Sequence, residues 1–258
     1  MMTSFRAEKI QTIRQKLKHG EPSVGSWLQI PHSSVAEIFG QSGYDWTVVD
    51  MEHGSISTHQ LPDLFRALEL GGTLPMVRLS VGNPKECKQA LDGGAGGVIV
   101  PMVESADQLQ SIGDACRWPP AGNRGVGYSR ANLFGKNFNE YSKEAQSPLL
   151  VAQIENIRAI ENLEEILSVK GLDAVFIGPY DLTASMGITG EFDHTDFQAV
   201  MNRVLEICRH FKISSGIHVV QPNPEELRLR IEEGYQFIAY SLDSVFLLNC
   251  CTLPNTVV

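Results

Sequence analysis

Two rhythms of apolar and polar positions alternate along this chain. Eight short runs are apolar almost without interruption and rich in β-branched residues: VGSWLQI (24–30), WTVVD (46–50), LPMVRL (74–79), GGVIVPM (96–102), LLVAQIE (149–155), DAVFIGP (173–179), SSGIHVV (214–220) and YQFIAYS (235–241). Between them apolar residues recur every three or four positions, which predicts helices over 34–42, 59–70, 84–92, 105–116, 157–168, 195–211 and 224–233. Continuous rather than alternating strands are what a parallel sheet covered on both faces requires. The punctuation agrees. Asn83-Pro84 and Asn223-Pro224 each set an N-cap before a proline at the first helical position, and Glu225 and Glu226 occupy a first turn where the helix dipole favours them. Gly43, Gly71, Gly93 and Gly234 stand where helices should stop.

Eight strands with interleaved helices in 258 residues predict one domain over 1–258, an α/β (β/α)8 barrel. An open doubly wound sheet is the alternative, weakened because no G-x-G-x-x-G follows the first strand. Phe5, Ile10, Ile13 and Leu17 mark one side of a further amphipathic helix ahead of the barrel. The stretch 117–147 fits neither rhythm and is expected to be a long polar, glycine-bearing loop, a class that is usually functional or disordered.

Composition narrows the setting. No apolar run reaches the roughly 18 residues that span a bilayer, and the N-terminus lacks the apolar core of a secretory signal, so a cytoplasmic protein away from membranes is expected. Cys87, Cys116, Cys208, Cys250 and Cys251 are odd in number, dispersed and form no CxxC pair, as suits reduced thiols. With 21 basic and 30 acidic residues the net charge is −9 and no basic stripe appears, which argues against nucleic acid as a partner.

A barrel keeps its chemistry at the C-terminal ends of its strands. This sequence places Trp27 and Gln29 there on the first strand, Asp50, Glu52 and His53 after the second, Arg78 on the third, Gln153 and Glu155 on the fifth and Asp181 after the sixth. Each has an ordinary structural explanation: Asp181 as a helix cap, Glu155 as a helix-dipole charge, Arg78 as a partner for Asp50, His53 as a loop histidine. Their convergence on one rim shifts the balance, because burying so many charges is costly unless a ligand or metal uses them. Glu155 and Asp181 end neighbouring strands with no Cys or His beside them, a donor set suited to a hard divalent ion, Mg2+ first, with Mn2+ or Co2+ as alternatives. In IGPYDL the amides after Pro179, those of Tyr180 and Asp181, suit a carboxylate. The loops after strands seven and eight, QPNPEEL and SLDS, hold no glycine, so an unphosphorylated substrate is expected. None of the nine lysines projects from a strand end, which disfavours Schiff-base chemistry and leaves a metal as the electron sink.

GSWLQI, GYDWTVVDMEHG, PMVRL, GGVIVPMV, RWPPAGNRGVG, VAQIE and DAVFIGPYDLTASMG follow one another in an order that resembles the class II pyruvate aldolases of the HpcH/HpaI type, from about residue 8 to 248. The resemblance implies a barrel of the phosphoenolpyruvate/pyruvate type and metal-dependent cleavage of a 4-hydroxy-2-oxo acid or 2-keto-3-deoxy sugar acid to pyruvate and an aldehyde. It implies His53 as base oriented by Asp50, Arg78 as enolate stabiliser, and Glu155 and Asp181 as metal ligands. It further implies that Gln153, Trp27, Pro179, Tyr180 and Arg124 are substrate contacts. A synthase joining an enolised 2-oxo acid such as oxaloacetate to an acyl or carbonyl partner, without obligatory metal, is the competing enzyme reading. A barrel retained only for binding is the non-enzymatic one. Two departures stand out. The resemblance implies a homo-oligomer, a hexamer or trimer, built with an exchanged C-terminal helix, whereas this tail is short and broken by Pro254. Strand seven also carries His218 where an apolar residue is expected, either facing the core or touching a distinctive aldehyde.

Overall fold

The computed structural model describes residues 4–251 and 253, so Pro254 lies outside the described residues. Eight parallel strands close into a barrel in sequence order, β8 pairing back onto β1. They are β1 (Ser23–Leu28), β2 (Trp46–Asp50), β3 (Leu74–Arg78), β4 (Gly97–Val100), β5 (Leu149–Ile154), β6 (Ala174–Ile177), β7 (Ser214–Val219) and β8 (Phe237–Leu242). Helices α1 (Phe5–Lys18), α2 (Ser33–Gly40), α3 (Leu61–Gly71), α4 (Pro84–Gly93), α5 (Ala106–Cys116) and α6 (Phe138–Glu144) serve the first half. Helices α7 (Ile157–Glu161), α8 (Leu163–Leu167), α9 (Pro179–Ser185), α10 (Thr195–Phe211), α11 (Pro224–Glu233) and α12 (Asp243–Cys250) serve the second. Among the described residues no helix is long and apolar enough to cross a membrane.

Strand side chains alternate between two cores. One set, including Val49, Val77, Val98 and Ile177, packs outward against the helices. The other fills the barrel, where Trp46 lies flat on Phe237 with ring centroids 4.1 Å apart and Trp27 stacks on Phe176 at 5.3 Å. Gly25 makes room for Trp46, since a Cβ there would lie 2.1 Å from the indole. Ile10, Ile13 and Leu17 of α1 join this inner cluster and plug the N-terminal end, each burial stabilising by about 1.5–3 kcal/mol. The expected amphipathic helix is therefore the barrel's floor, and the opposite end is left open for polar groups.

Four elements differ from expectation. The predicted helix 157–168 breaks at Asn162, whose side-chain amide donates to the Glu104 carbonyl at 2.9 Å. The stretch 117–147 is ordered by packing the pattern does not encode: it holds a 3-10 turn at Arg130–Gly135 and α6. Arg6 pairs with Glu69 and Glu144, Arg130 pairs with Glu69, and Trp118 meets Tyr141 edge-on at 5.1 Å. Pro179 starts a helix where a strand end was expected, and Asp243 starts α12.

Candidate active site

β2 and β3 pair with Asp50 directly opposite Arg78, so both side chains leave the barrel at one level. Arg78 grips Asp50 with two bonds, Nε to Oδ1 at 2.9 Å and Nη2 to Oδ2 at 2.7 Å, and its Nη1 reaches Glu52 Oε2 at 3.0 Å. Asp50 is wholly buried and also accepts from Gln29 Nε2 (2.9 Å) and from the main-chain amides of Glu52 (3.1 Å) and His53 (3.2 Å). Burial works to push the Asp50 carboxyl up, but the bonds and charge of Arg78, with Gln29 and the His53 amide, outweigh it and hold it below the usual carboxylate range. The expected tie from Asp50 to His53 thus runs through the backbone: Asp50 shapes the turn that presents His53, and the imidazole itself is exposed.

Across the mouth, Gln153 and Glu155 leave the end of β5. Glu155 is almost fully buried; its Oε1 accepts from the Met102 amide at 2.6 Å and its Oε2 from Gln153 Nε2 at 2.5 Å. Met102 adopts φ +48, in the left-handed region, which turns this amide toward the carboxylate. Burial pushes the Glu155 carboxyl up; the Met102 and Gln153 bonds oppose that, and the negative charge of Asp181 adds to the rise. Asp181 stands in the first turn of α9, exposed, so the two carboxylates are brought within electrostatic reach of each other. Glu52 feels Glu155 too: burial raises its carboxyl first, Arg78 lowers it, and Glu155 raises it again.

Among the described residues no group of three or more His, Cys, Asp or Glu side chains is placed to hold a metal. The site still fits a hard divalent cation on its own chemistry. Two neighbouring carboxylates repel unless a positive charge intervenes, Gln153 Oε1 is buried without a partner among the described residues, and Gly178 is bare where a Cβ would lie 2.8 Å from Glu155 Oε2. Two carboxylate ligands would leave positions open for substrate oxygens.

The remaining expected contacts divide. Trp27, nearly buried, forms the floor beneath Arg78, whose guanidinium carbon lies 5.4 Å from the indole centroid. Pro179 opens α9, and Tyr180 is exposed beside Phe192 at 4.8 Å. Arg124 requires correction as a substrate contact. Its segment folds back on the end of α5 through Arg124 N to Arg117 O (2.9 Å) and Asn123 N to Asp114 O (2.9 Å). The side chain, 3% exposed, bonds Tyr141 Oη at 2.9 Å, pairs with Asp92 at 3.5 Å and lines a crevice with Ile10, Gly96 and Pro148 at the barrel's floor. It braces the structure far from the open end. Met102 and Asp243 also support the rim, although no motif marks them. The buried carboxylate of Asp243 takes the amides of Gln29 (3.0 Å), Ile30 (2.7 Å) and Ser244 (2.8 Å), which ties the end of β8 to the end of β1. The acidic residue opening the last helix was the available signal for Asp243; the backbone conformation of Met102 left none.

A closed parallel barrel with its charged side chains gathered at the C-terminal mouth defines the class: a (β/α)8 protein built as barrel enzymes are, chemistry on one face and packing on the other. Within it, the chain belongs to the HpcH/HpaI aldolase/citrate lyase family, whose sequence model matches residues 23–250. It is 38% identical over 244 residues to the hydroxypyruvate/pyruvate aldolase of Roseobacter denitrificans, covering 93% of this chain and 94% of that protein. It is 36% identical over 236 residues to the 2-dehydro-3,6-dideoxy-6-sulfogluconate aldolase of Pseudomonas putida, covering 90% and 91%. The crystal structure of a HpcH/HpaI aldolase/citrate lyase family protein from Burkholderia cenocepacia superposes with a TM-score of 0.87 at 32% identity, covering 93% of this chain and 95% of that one.

Proposed function

We propose that this protein is a carbon–carbon lyase that cleaves a 4-hydroxy-2-oxo acid, or a 2-keto-3-deoxy sugar acid, to pyruvate and an aldehyde and catalyses the reverse addition. The observation that carries this reading is the pairing of Glu155 and Asp181 across the mouth from the Asp50-clamped Arg78, within a family whose relatives of 36–38% identity are named aldolases.

Glu155 and Asp181 would hold a divalent cation, Mg2+ foremost with Mn2+ or Co2+ as substitutes, which supplies the Lewis acidity that draws electrons toward the 2-oxo group. The first-turn amides of Tyr180 and Asp181 have no acceptor one turn back and bind a substrate carboxylate oxygen. Trp27 forms the surface on which the substrate lies. In cleavage His53 takes the proton from the C4 hydroxyl, the C4–O bond becomes the aldehyde carbonyl, and the C3–C4 pair moves into the enolate of pyruvate. Arg78 faces that oxyanion with the N–H groups that Asp50 and Glu52 leave free, and a proton delivered to C3 completes pyruvate. Asp50 is a positioning residue: it fixes Arg78 and the His53 turn together.

The test is pyruvate release from 4-hydroxy-2-oxo acids of graded chain length, read through a coupled lactate dehydrogenase assay, after chelation and after re-addition of Mg2+, Mn2+ or Co2+. Activity is expected to vanish with EDTA and in Glu155→Ala and Asp181→Ala, and to fall about 10²–10⁴-fold in His53→Ala with cation affinity retained. Full activity in EDTA would overturn the cation assignment, and wild-type turnover in His53→Ala would overturn the base.

A further inference from the structure

A polar ring sits where the barrel should be apolar. His218 of β7 lies opposite Ala239 of β8 and beside Trp27 and Phe176, with ring centroids 5.2 and 6.4 Å away. Its Nε2 is 3.0 Å from the carbonyl oxygen of Ser241. A carbonyl only accepts, so Nε2 carries the hydrogen and, in the neutral ring, Nδ1 carries the lone pair. The neutral form is the one this environment holds: burial first, and Arg78 with it, lower the imidazole to about 4 against the opposing Ser241 bond and Asp50 charge.

The tautomer is enforced by strain. Ser241 has φ +52, a left-handed conformation that strains a non-glycine residue. Its own hydroxyl gains nothing from this, being buried without a partner among the described residues. What the strained turn secures is the carbonyl, which takes both His218 Nε2 and the Ser26 hydroxyl at 3.1 Å. Nδ1 is left with no partner among the described residues. His218 is only partly buried, so this free acceptor is open to a ligand rather than sealed in the core. The His218 ring lies on Trp27, the indole beneath Arg78 at the mouth, and with Pro179 and Tyr180 it borders the upper end of a cavity of about 630 Å³ that runs along α10 and α11.

We propose that His218 determines the aldehyde specificity of this protein: its Nδ1 lone pair accepts a hydrogen bond from a hydroxyl group of the substrate, so the preferred aldehydes are hydroxylated ones. This rests on the aldolase reading and assigns the class of its second substrate. The Trp27 face and the Phe176 ring hold the imidazole plane, which gives the acceptor a fixed direction that a flexible side chain would lack.

The experiment measures kcat/KM for addition of pyruvate to glycolaldehyde and to propanal, which share a carbonyl and differ in the hydroxyl, in wild type, His218→Leu and His218→Phe. The glycolaldehyde-to-propanal ratio is expected to fall about 10-fold or more in both variants. Because the ratio is internal to each preparation, partial folding of a variant does not distort it. An unchanged ratio overturns the proposal. Solvent deuterium exchange at C3 of pyruvate, followed by NMR on wild type without any aldehyde, separates the two levels: absence of exchange strikes the aldolase reading, whereas exchange with an unchanged ratio strikes only the role of His218.

Discussion

At Gly178 a hydrogen atom in place of a side chain decides where Glu155 sits. A Cβ there would lie 2.8 Å from Glu155 Oε2 and 2.9 Å from Glu155 Cβ, closer than packed atoms tolerate. Gly178→Ala is therefore expected to keep the barrel but displace the carboxylate, weakening Mn2+ binding by about 10-fold or more in calorimetry. An unaltered affinity would mean that Glu155 is free to move aside. Asp50 makes the opposite demonstration. It is buried and matched to Arg78 on both oxygens, and removing one partner of a buried pair costs about 3–5 kcal/mol because the other charge is stranded. Asp50→Ala should lose stability on that scale in chemical denaturation, with Glu52 recovering part of it through its contact with Arg78 at 3.0 Å. Asp50 could be picked out in sequence from its motif, whereas the demand on Gly178 could not. That Asp50 binds Arg78 while meeting His53 only through its amide could not, since motif spacing says nothing of which atom a carboxylate faces.

The β4–α5 connection shows how a turn serves a site it does not belong to. Met102 is held at φ +48 while its amide donates to Glu155 and its carbonyl accepts from Gln108 Nε2 at 3.0 Å. Gln108 also takes the Glu104 amide at 2.9 Å, so one side chain clamps both ends of the bend. Gln108→Ala should release the turn. A loss of about 1 kcal/mol in stability accompanied by a several-fold loss of cation affinity is expected, and a stability loss with unaltered affinity would reduce the clamp to a packing role. Strands and most helices were readable because their periodicity is local. The break at Asn162 and the ordered 117–147 segment were not, because the Glu104 carbonyl that holds Asn162 and the Glu69 and Glu144 carboxylates that gather Arg6 and Arg130 come from distant parts of the chain.

Across the molecule, the titration of His218 couples the mouth to folding. Its folded value of about 4 lies below the ordinary value of 6.5. Above pH 6.5 the ring is neutral in both states. Between 6.5 and 4 only the unfolded chain takes up the proton, so stability falls as pH drops through that window, by on the order of 2 kcal/mol. Asp50, held below its usual range, adds its loss only at more acid pH. Thermal melts from pH 7 to 4 are expected to show a steeper decline for wild type than for His218→Leu. Parallel declines would mean that the ring is not neutral by burial.

The order of residues alone determined the eight strands, the helix that floors the barrel, and the rim to which Asp50, Arg78, Glu155 and Asp181 belong, because alternation and strand polarity are properties of neighbouring residues. Tertiary structure decided what each rim group touches. It sent Arg124 to the closed end, put Asp243 against the amides of Gln29 and Ile30 just after β1, and seated His218 on Trp27 with one nitrogen satisfied and the other waiting. Closure of the barrel is the physical reason: it brings β8 beside β1, and no pattern along the chain records which side chains then share a layer.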